Sequence, residues 1–472
     1  MKILLINPPR DNELVGQNPA IIESERGHNP PLGLLYLAAC VRQKTSHSVE
    51  VIDAQVEGLT YPRLKDRIAA SRPDVVGISC MTFTLLDALK TANIVKQLDK
   101  NVPVIIGGCH VHLFPEETIR LSSVDYAVLG EGEDAFVELL ERLGDGRTLA
   151  GLPGIIFSQP DGTIVNTGVR PLIADLDALP FPARDLAPYR KYSSILAPRL
   201  PVTTMFTSRG CPYKCSFCDR PHLGKKFRAR SPKNVVNEME ECVRMGIHEF
   251  LMYDDTFTVS KHRVIEICQE IVRRKLDVGW DIRARVDTVT PEMVRALKRA
   301  GCRGIHYGVE SGTERVLKVL NKGISLEQTR EVFRYTRKAG IMVLAYFMIG
   351  CPTETRQDIE KTLQVMKSLN ADYAHITIFT PFPGTRIYLD GLKAGIIEKD
   401  YWREFAANPR PGFSPPHWPE IPAEELQEII RRAYRAFYFR AGYLARRLVR
   451  VRSFGELRRK ARSAVRVLRW RR

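Results

Sequence analysis

Short apolar runs alternate with stretches of helical periodicity along most of the chain. Up to about residue 145, Lys2–Ile6, Ser48–Ile52, Val75–Ser79, Val104–Ile106 and Tyr126–Leu129 read as strands, with helices expected over 31–43, 61–71, 85–99, 115–121 and 133–143. That alternation predicts βαβ units and a doubly wound parallel sheet. Between 150 and 195 the pattern breaks. Ile155–Phe157 and Thr163–Val165 flank Pro160-Asp161-Gly162 as a hairpin, and a proline-punctuated linker runs from Leu176 to Asp185. Alternation resumes with Thr203–Thr207, Phe250–Tyr253, Gly279–Arg285, Gly304–Val309, Ile341–Ile349 and Ala374–Thr380, separated by helical 232–245, 261–275, 291–300, 325–339 and 356–369. Six such strands predict an incomplete (β/α)6 barrel. Past 390, Ala423–Leu448 carries Tyr434, Phe437, Tyr438, Ala441, Leu444 and Leu448 at helical steps, and a second helix is expected over Leu457–Trp470. The expected organisation is an α/β chain: a Rossmann-like domain over 1–150, a hairpin and linker over 151–195, a partial barrel over 196–390 and a basic helical region over 391–472.

A length of 472 residues fits two or three domains, each able to bury a core. The opening run ends in Asn7-Pro8-Pro9, as a strand does and a signal peptide does not. The longest apolar run, Ile341 to Ile349, falls well short of the roughly 20 residues of a membrane-spanning helix. Of 10 cysteines only one trio is closely spaced, which suits reduced thiols in the cytoplasm rather than a disulfide framework. The net charge of +17 is uneven: residues 431–472 hold 16 Lys/Arg and one acid, leaving the rest nearly neutral. Three readings of that tail are open: a solvated cap over the barrel, an amphipathic patch on anionic lipid at the inner membrane face, or a nucleic-acid patch. No RNA-binding module accompanies the charge, so a nucleic-acid substrate is not expected.

The trio is Cys211, Cys215 and Cys218, in C-x3-C-x2-C spacing that lets three thiolates converge on one soft metal centre. Structural zinc closes with four protein ligands, so three point to a four-iron cluster with one open iron. The barrel strands end in polar residues that a core does not need: Tyr253-Asp254-Asp255, Arg283-Ala284-Arg285, Glu310-Ser311-Gly312 and Gly350-Cys351-Pro352-Thr353-Glu354. Carboxylates for ammonium and hydroxyl groups, with guanidinium groups for a carboxylate, suit a zwitterionic, ribose-bearing ligand. The first domain's strand ends, Ser79-Cys80-Met81-Thr82, Gly107-Gly108-Cys109-His110 and Gly130-Glu131-Gly132-Glu133, offer glycines for close backbone approach and small hydroxyls for a polar tail.

The cysteine loop and the ordered polar strand ends behind it resemble the radical S-adenosylmethionine (SAM) superfamily. That resemblance implies Cys211, Cys215 and Cys218 as [4Fe-4S] ligands and Phe217 near the adenine. It further implies Asp254 and Asp255 at the methionine amine, Arg283, Arg285, Glu310 and Ser311 near carboxylate and ribose, and Gly350 beside adenine. Residues 1–145 resemble the cobalamin (B12)-binding domain that precedes many radical SAM domains. Ser79, Thr82, Gly107 and Gly108 would then lie near the nucleotide tail, with His110, Glu131 and Gly132 on the same edge beneath the corrin. The Asp-x-His-x-x-Gly motif of many B12 proteins is missing; Asp53-Ala54-Gln55-Val56-Glu57-Gly58 mimics it with Gln for His, but after the second strand instead of the first. The implied cobalamin has a lower face that is open or holds water, with His110 either a cobalt ligand or a residue packed on the corrin edge.

Together the resemblances imply a B12-dependent radical SAM C-methyltransferase, in which a 5′-deoxyadenosyl radical activates an unactivated carbon and methylcobalamin supplies the methyl group. The alternative is non-methylating oxidation or ring closure of the anaerobic magnesium-protoporphyrin ester cyclase type. From another class, a corrinoid- or redox-sensing regulator with an inert cluster also fits the domain order. Methylthiotransferases fit poorly, because residues 1–150 lack the cysteines for a second cluster. Implied partners are a small-molecule substrate, hydrophobic under the lipid reading of the tail, and a reducing protein such as flavodoxin or ferredoxin.

Overall fold

The computed structural model describes residues 1–14, 27–218 and 224–444. Its first sheet has seven strands in the order β2-β1-β3-β4-β5-β6-β7: β1 Lys2–Asn7, β2 Ser48–Asp53, β3 Val75–Ser79, β4 Val104–Gly107, β5 Tyr126–Val128, β6 Ile155–Ser158 and β7 Ile164–Asn166. β1 to β5 pair in parallel and β6 and β7 add antiparallel. The hairpin expected within the linker is thus the edge of this sheet. Helices cover both faces, so successive residues of one strand enter different cores: Leu4 and Ile6 on one side, Ile3 and Leu5 on the other. Gly77 makes this packing possible, because a Cβ there would lie 2.7 Å from Leu5 Cδ2.

The second sheet runs β8-β11-β12-β13-β14-β15, six parallel strands in chain order: β8 Val202–Met205, β11 Glu249–Met252, β12 Gly279–Ala284, β13 Cys302–Glu310, β14 Met342–Ile349 and β15 Tyr373–Ile378. The outward helices are amphipathic and well capped. Ser231, Ser260, Thr290, Ser325 and Thr355 each accept a backbone N–H at a helix start, and Ser325 with Gln328 completes a capping box. A two-stranded ribbon, β9 Ser208–Arg209 and β10 Arg228–Ala229, stands at the barrel mouth.

The two sheets share one apolar interface. Leu4, Ile78 and Ile106 belong to the same buried cluster as Val316, Leu320, Phe379 and Trp402. Polar ties reinforce it: Tyr192 donates to Asp53 at 2.8 Å, and Arg184 of the linker pairs with fully buried Glu238 at 2.5 Å. After β15 the chain returns as a helix, Ala423–Tyr438, along the sheet edge. There the Tyr434 and Tyr438 hydroxyls accept from the backbone N–H groups of Ile376 and Ala374, which closes an otherwise unpaired strand edge. The aromatic stripe is therefore a cap as far as it is described; Leu448 and the helix expected over 457–470 lie outside the described residues. No described helix is long and apolar enough to cross a membrane.

Candidate active site

The loop between β9 and β10 carries the three cysteines and is fastened at both ends. At its base Arg209 pairs with Glu131 (2.8 Å) and Glu133 (2.5 Å), and Arg228 pairs with the same Glu131 (2.8 Å), all four side chains being buried. Tyr36 lies under the Arg209 guanidinium. Gly210 follows with φ +78°, where a Cβ would sit 2.3 Å from Lys226 O, so only glycine lets the two limbs of the loop close together. Further along, Ser216 donates its N–H to Leu320 O and its hydroxyl to Val319 O, and Asn321 donates to Lys214 O. The Cys215–Cys218 turn is thereby pinned against the end of the helix Glu314–Val319.

Cys211, Cys215 and Cys218 line a cavity of about 180 Å³. Facing them are Asp255, Thr256, Arg283, Arg285 and Glu310 from the ends of β11, β12 and β13, with Tyr213, Phe217 and Lys322 on the flanks. Among the described residues no three His, Cys, Asp or Glu side chains are placed to hold a single metal ion. Three thiols opening on a common space with acids and guanidinium groups fit a cluster with a zwitterionic ligand better than one zinc ion. Glu310, at φ +67°, turns its carboxylate onto Lys322 at 2.7 Å. Gly308 makes room for the pair, since a Cβ there would lie 2.3 Å from Glu310 Oε1 and 2.8 Å from Lys322 Nζ.

The structure divides the residues expected here into two groups. Phe217, Asp255, Arg283, Arg285 and Glu310 line the cavity with the three cysteines. Asp254 does not: it is fully buried and accepts from Thr207 N, Thr207 Oγ1 and Ser208 Oγ at 2.5–2.6 Å, clamping the start of the cysteine loop. Ser311 is buried against Thr313 and Thr362, and Gly350 lies against Leu426, so neither reaches the cavity. The arginines differ too. Arg283 rests on the Tyr253 ring at 4.1 Å, with Asn29 of the N-terminal region donating to the Tyr253 hydroxyl, and forms no ion pair among the described residues. Arg285 is fully engaged with Asp287, Lys322 O and Cys215. His306 and Tyr346, hydrogen bonded at 3.3 Å, also line the cavity and were missed by sequence reasoning. The signal for His306 was present, because Gly304, His306 and Gly308 share the inward parity of β13.

At the N-terminal sheet's edge, Ser79 and Gly107 are partners at the ends of β3 and β4. Gly108, at φ +119°, packs so closely that a Cβ would lie 2.4 Å from Cys80 O, whereas Gly107 has nothing nearer than 3.9 Å. His110 is fully buried; its Nδ1 meets Thr82 Oγ1 at 3.2 Å, and its Nε2 has no hydrogen-bond partner among the described residues. Burial pushes its pKa down to about 3, so the imidazole is neutral. An unpartnered buried nitrogen beside an open glycine fits a corrinoid tail at this edge. Both oxygens of Glu131 are taken by Arg209, Arg228 and Ile173 N, so its carboxylate is turned to the barrel domain. Gly132 only begins the next helix. Gln55 donates to Asn7 Oδ1 and Pro8 O, which makes the histidine-motif mimic a fold feature.

Comparison with known proteins agrees with both halves. Residues 205–366 match the family model of the radical SAM superfamily and residues 20–140 that of the B12 binding domain. The chain is 37% identical to a protein of Pyrococcus horikoshii named an uncharacterized methyltransferase, over 93% of each chain. It is 27% identical to the anaerobic magnesium-protoporphyrin IX monomethyl ester cyclase of Rubrivivax gelatinosus, over 89% of this chain and 75% of that one. Its fold superimposes on the radical SAM methyltransferase TsrM of Kitasatospora setae, solved with cobalamin and a [4Fe-4S] cluster, with a TM-score of 0.69 at 22% identity over 84% and 78% of the two chains. The chain belongs to the cobalamin-dependent radical SAM enzymes, whose cofactors are a [4Fe-4S] cluster, SAM and cobalamin.

Proposed function

We propose that the chain methylates an unactivated carbon of a small molecule. The observation that carries this reading is that the three cysteines line one cavity with Arg283 and Glu310, in a chain that also matches the B12 binding domain. When bound, the cofactors supply reductive cleavage of SAM, hydrogen abstraction and methyl delivery. The chain's own residues hold, orient and shield. Cys211, Cys215 and Cys218 hold the cluster. Arg283, its guanidinium over the Tyr253 ring, takes the SAM carboxylate; Asp255 takes the ammonium, and Glu310, steadied by Lys322, the ribose hydroxyls. Phe217 walls the adenine. Ser79, Thr82, Gly107 and Gly108 receive the cobalamin tail, and neutral His110 offers Nε2 from a site closed to water. A flavodoxin or ferredoxin is the proposed electron donor. Contact of residues 431–472 with anionic lipid is the least constrained part, and liposome flotation with and without that segment tests it.

The deciding experiment is product analysis under anaerobic, reducing conditions with candidate substrates. Methylation consumes SAM in two ways and gives both S-adenosylhomocysteine and 5′-deoxyadenosine. The cyclase likeness favours a second reading, oxidation without methyl transfer, which gives 5′-deoxyadenosine alone. A regulator with an inert cluster gives neither product.

A further inference from the structure

Arg285 leaves β12 at the cavity wall, and every part of its guanidinium has a partner. Nε and one terminal nitrogen grip the Asp287 carboxylate at 3.0 and 2.9 Å, and that same terminal nitrogen donates to Lys322 O at 2.5 Å. The plane lies over the Tyr213 ring, 3.9 Å from its centre. The remaining nitrogen, Nη1, points at Cys215 Sγ from 3.4 Å. A side chain held on three sides has little freedom to follow a substrate. It is fixed to serve the sulfur.

We infer that Arg285 donates a hydrogen bond to the cluster thiolate of Cys215 and sets the reduction potential of the cluster, leaving Arg283 to bind SAM. The inference rests on the reading that Cys215 is a cluster ligand. Adding an electron to a cluster increases negative charge on its sulfurs, and hydrogen bonds to those sulfurs are one of the factors that set the potential. A cationic N–H donor stabilises the reduced form more than the oxidised one, so it raises the potential and eases electron entry. Asp287 moderates this by offsetting part of the guanidinium charge. Thr256 Oγ1 lies 3.6 Å from Cys211 Sγ, but that hydroxyl already donates to Asp255 O at 2.8 Å. Arg285 is therefore the stronger of the two donors.

The test is a redox titration, followed by electron paramagnetic resonance, of the full-length protein after anaerobic cluster assembly, with SAM binding measured in parallel. Arg285→Met should make reduction at least tenfold harder, about 59 mV more negative for one electron. Asp287→Asn, which leaves the donor in place but less neutralised, should shift the potential the other way. Arg283→Met should weaken SAM binding and leave the potential unchanged. If Arg285→Met does not fold, the positive shift of Asp287→Asn still decides the matter. Unchanged potentials in both Arg285→Met and Asp287→Asn would overturn the inference, as would loss of SAM binding in Arg285→Met at the wild-type potential. Wild-type protein that assembles no cluster would instead refute the reading of the cysteines.

Discussion

At the carboxyl edge of the barrel sheet, Asp255, Arg283 and Glu310 extend their side chains into one cavity beside the cysteines. At the same edge of the N-terminal sheet, the one acid expected to face a ligand, Glu131, turns away to Arg209 and Arg228, and the one imidazole, His110, is buried. Both edges end parallel strands, where α/β sheets collect ligands. The barrel edge presents charged side chains; the N-terminal edge presents backbone and small residues. The charged residues of the N-terminal edge serve the barrel instead, by gripping the base of the cysteine loop. The proposed cluster and corrinoid sites are thus chemically separate, and buried ion pairs join them mechanically.

The largest effect should separate the sites. Cys215→Ala should lose nearly all iron and all 5′-deoxyadenosine formation while keeping wild-type cobalt, measured by metal analysis and turnover. Loss of cobalt as well would mean the two edges do not bind independently. The joint between them is next. Arg209→Met leaves Glu131 and Glu133 buried with Arg228 alone, and should cost about 3–5 kcal/mol in denaturant unfolding, with faster iron loss to a chelator. A stability change near zero would show that the clamp is not a connection.

Two titratable groups, one buried at each edge, respond to pH in opposite senses. His110 is held near 3 against an ordinary value of 6.5, so the stability it contributes is complete above 6.5 and is lost as pH falls toward 3. Burial raises Glu354, which follows β14, from 4.5 to about 7, so its contribution is complete below 4.5 and is lost as pH rises toward 7. Glu354→Gln should flatten the alkaline side of the stability profile by about 3 kcal/mol and leave the acid side intact. The smallest effect concerns backbone room. Gly108→Ala should destabilise by about 1–3 kcal/mol, because its φ and the Cys80 carbonyl forbid a Cβ. Gly107→Ala should be nearly neutral, within about 1 kcal/mol, yet lose cobalt if the cobalamin tail passes there.

This contrast also explains what could be read from the sequence. The βαβ alternation, six barrel strands, cysteine spacing and polar strand ends depend on local periodicity, and the structure bears out their positions to within a few residues. Which of two neighbouring residues faces a ligand depends on strand parity and on distant partners. Asp254 and Asp255 look alike in sequence, but Thr207 and Ser208 claim the first. Arg283 and Arg285 share parity, yet Asp287 and Cys215 claim the second. The ion pairs of Glu131 could not be read from the sequence, because their partners lie 78 and 97 residues away in another domain. His306 was within reach of the inward pattern on β13, whereas Lys322, beyond the strands, gave no signal.

The most direct measurement of the central claim is the iron and cobalt content of anaerobically purified protein supplied with B12, for wild type and Cys215→Ala together. Two separate sites in one chain predict about four irons and one cobalt in the wild type. They also predict an unchanged cobalt content with almost no iron in the variant. A wild type with four irons and no cobalt would contradict the account of the N-terminal edge and remove the basis for methyl transfer.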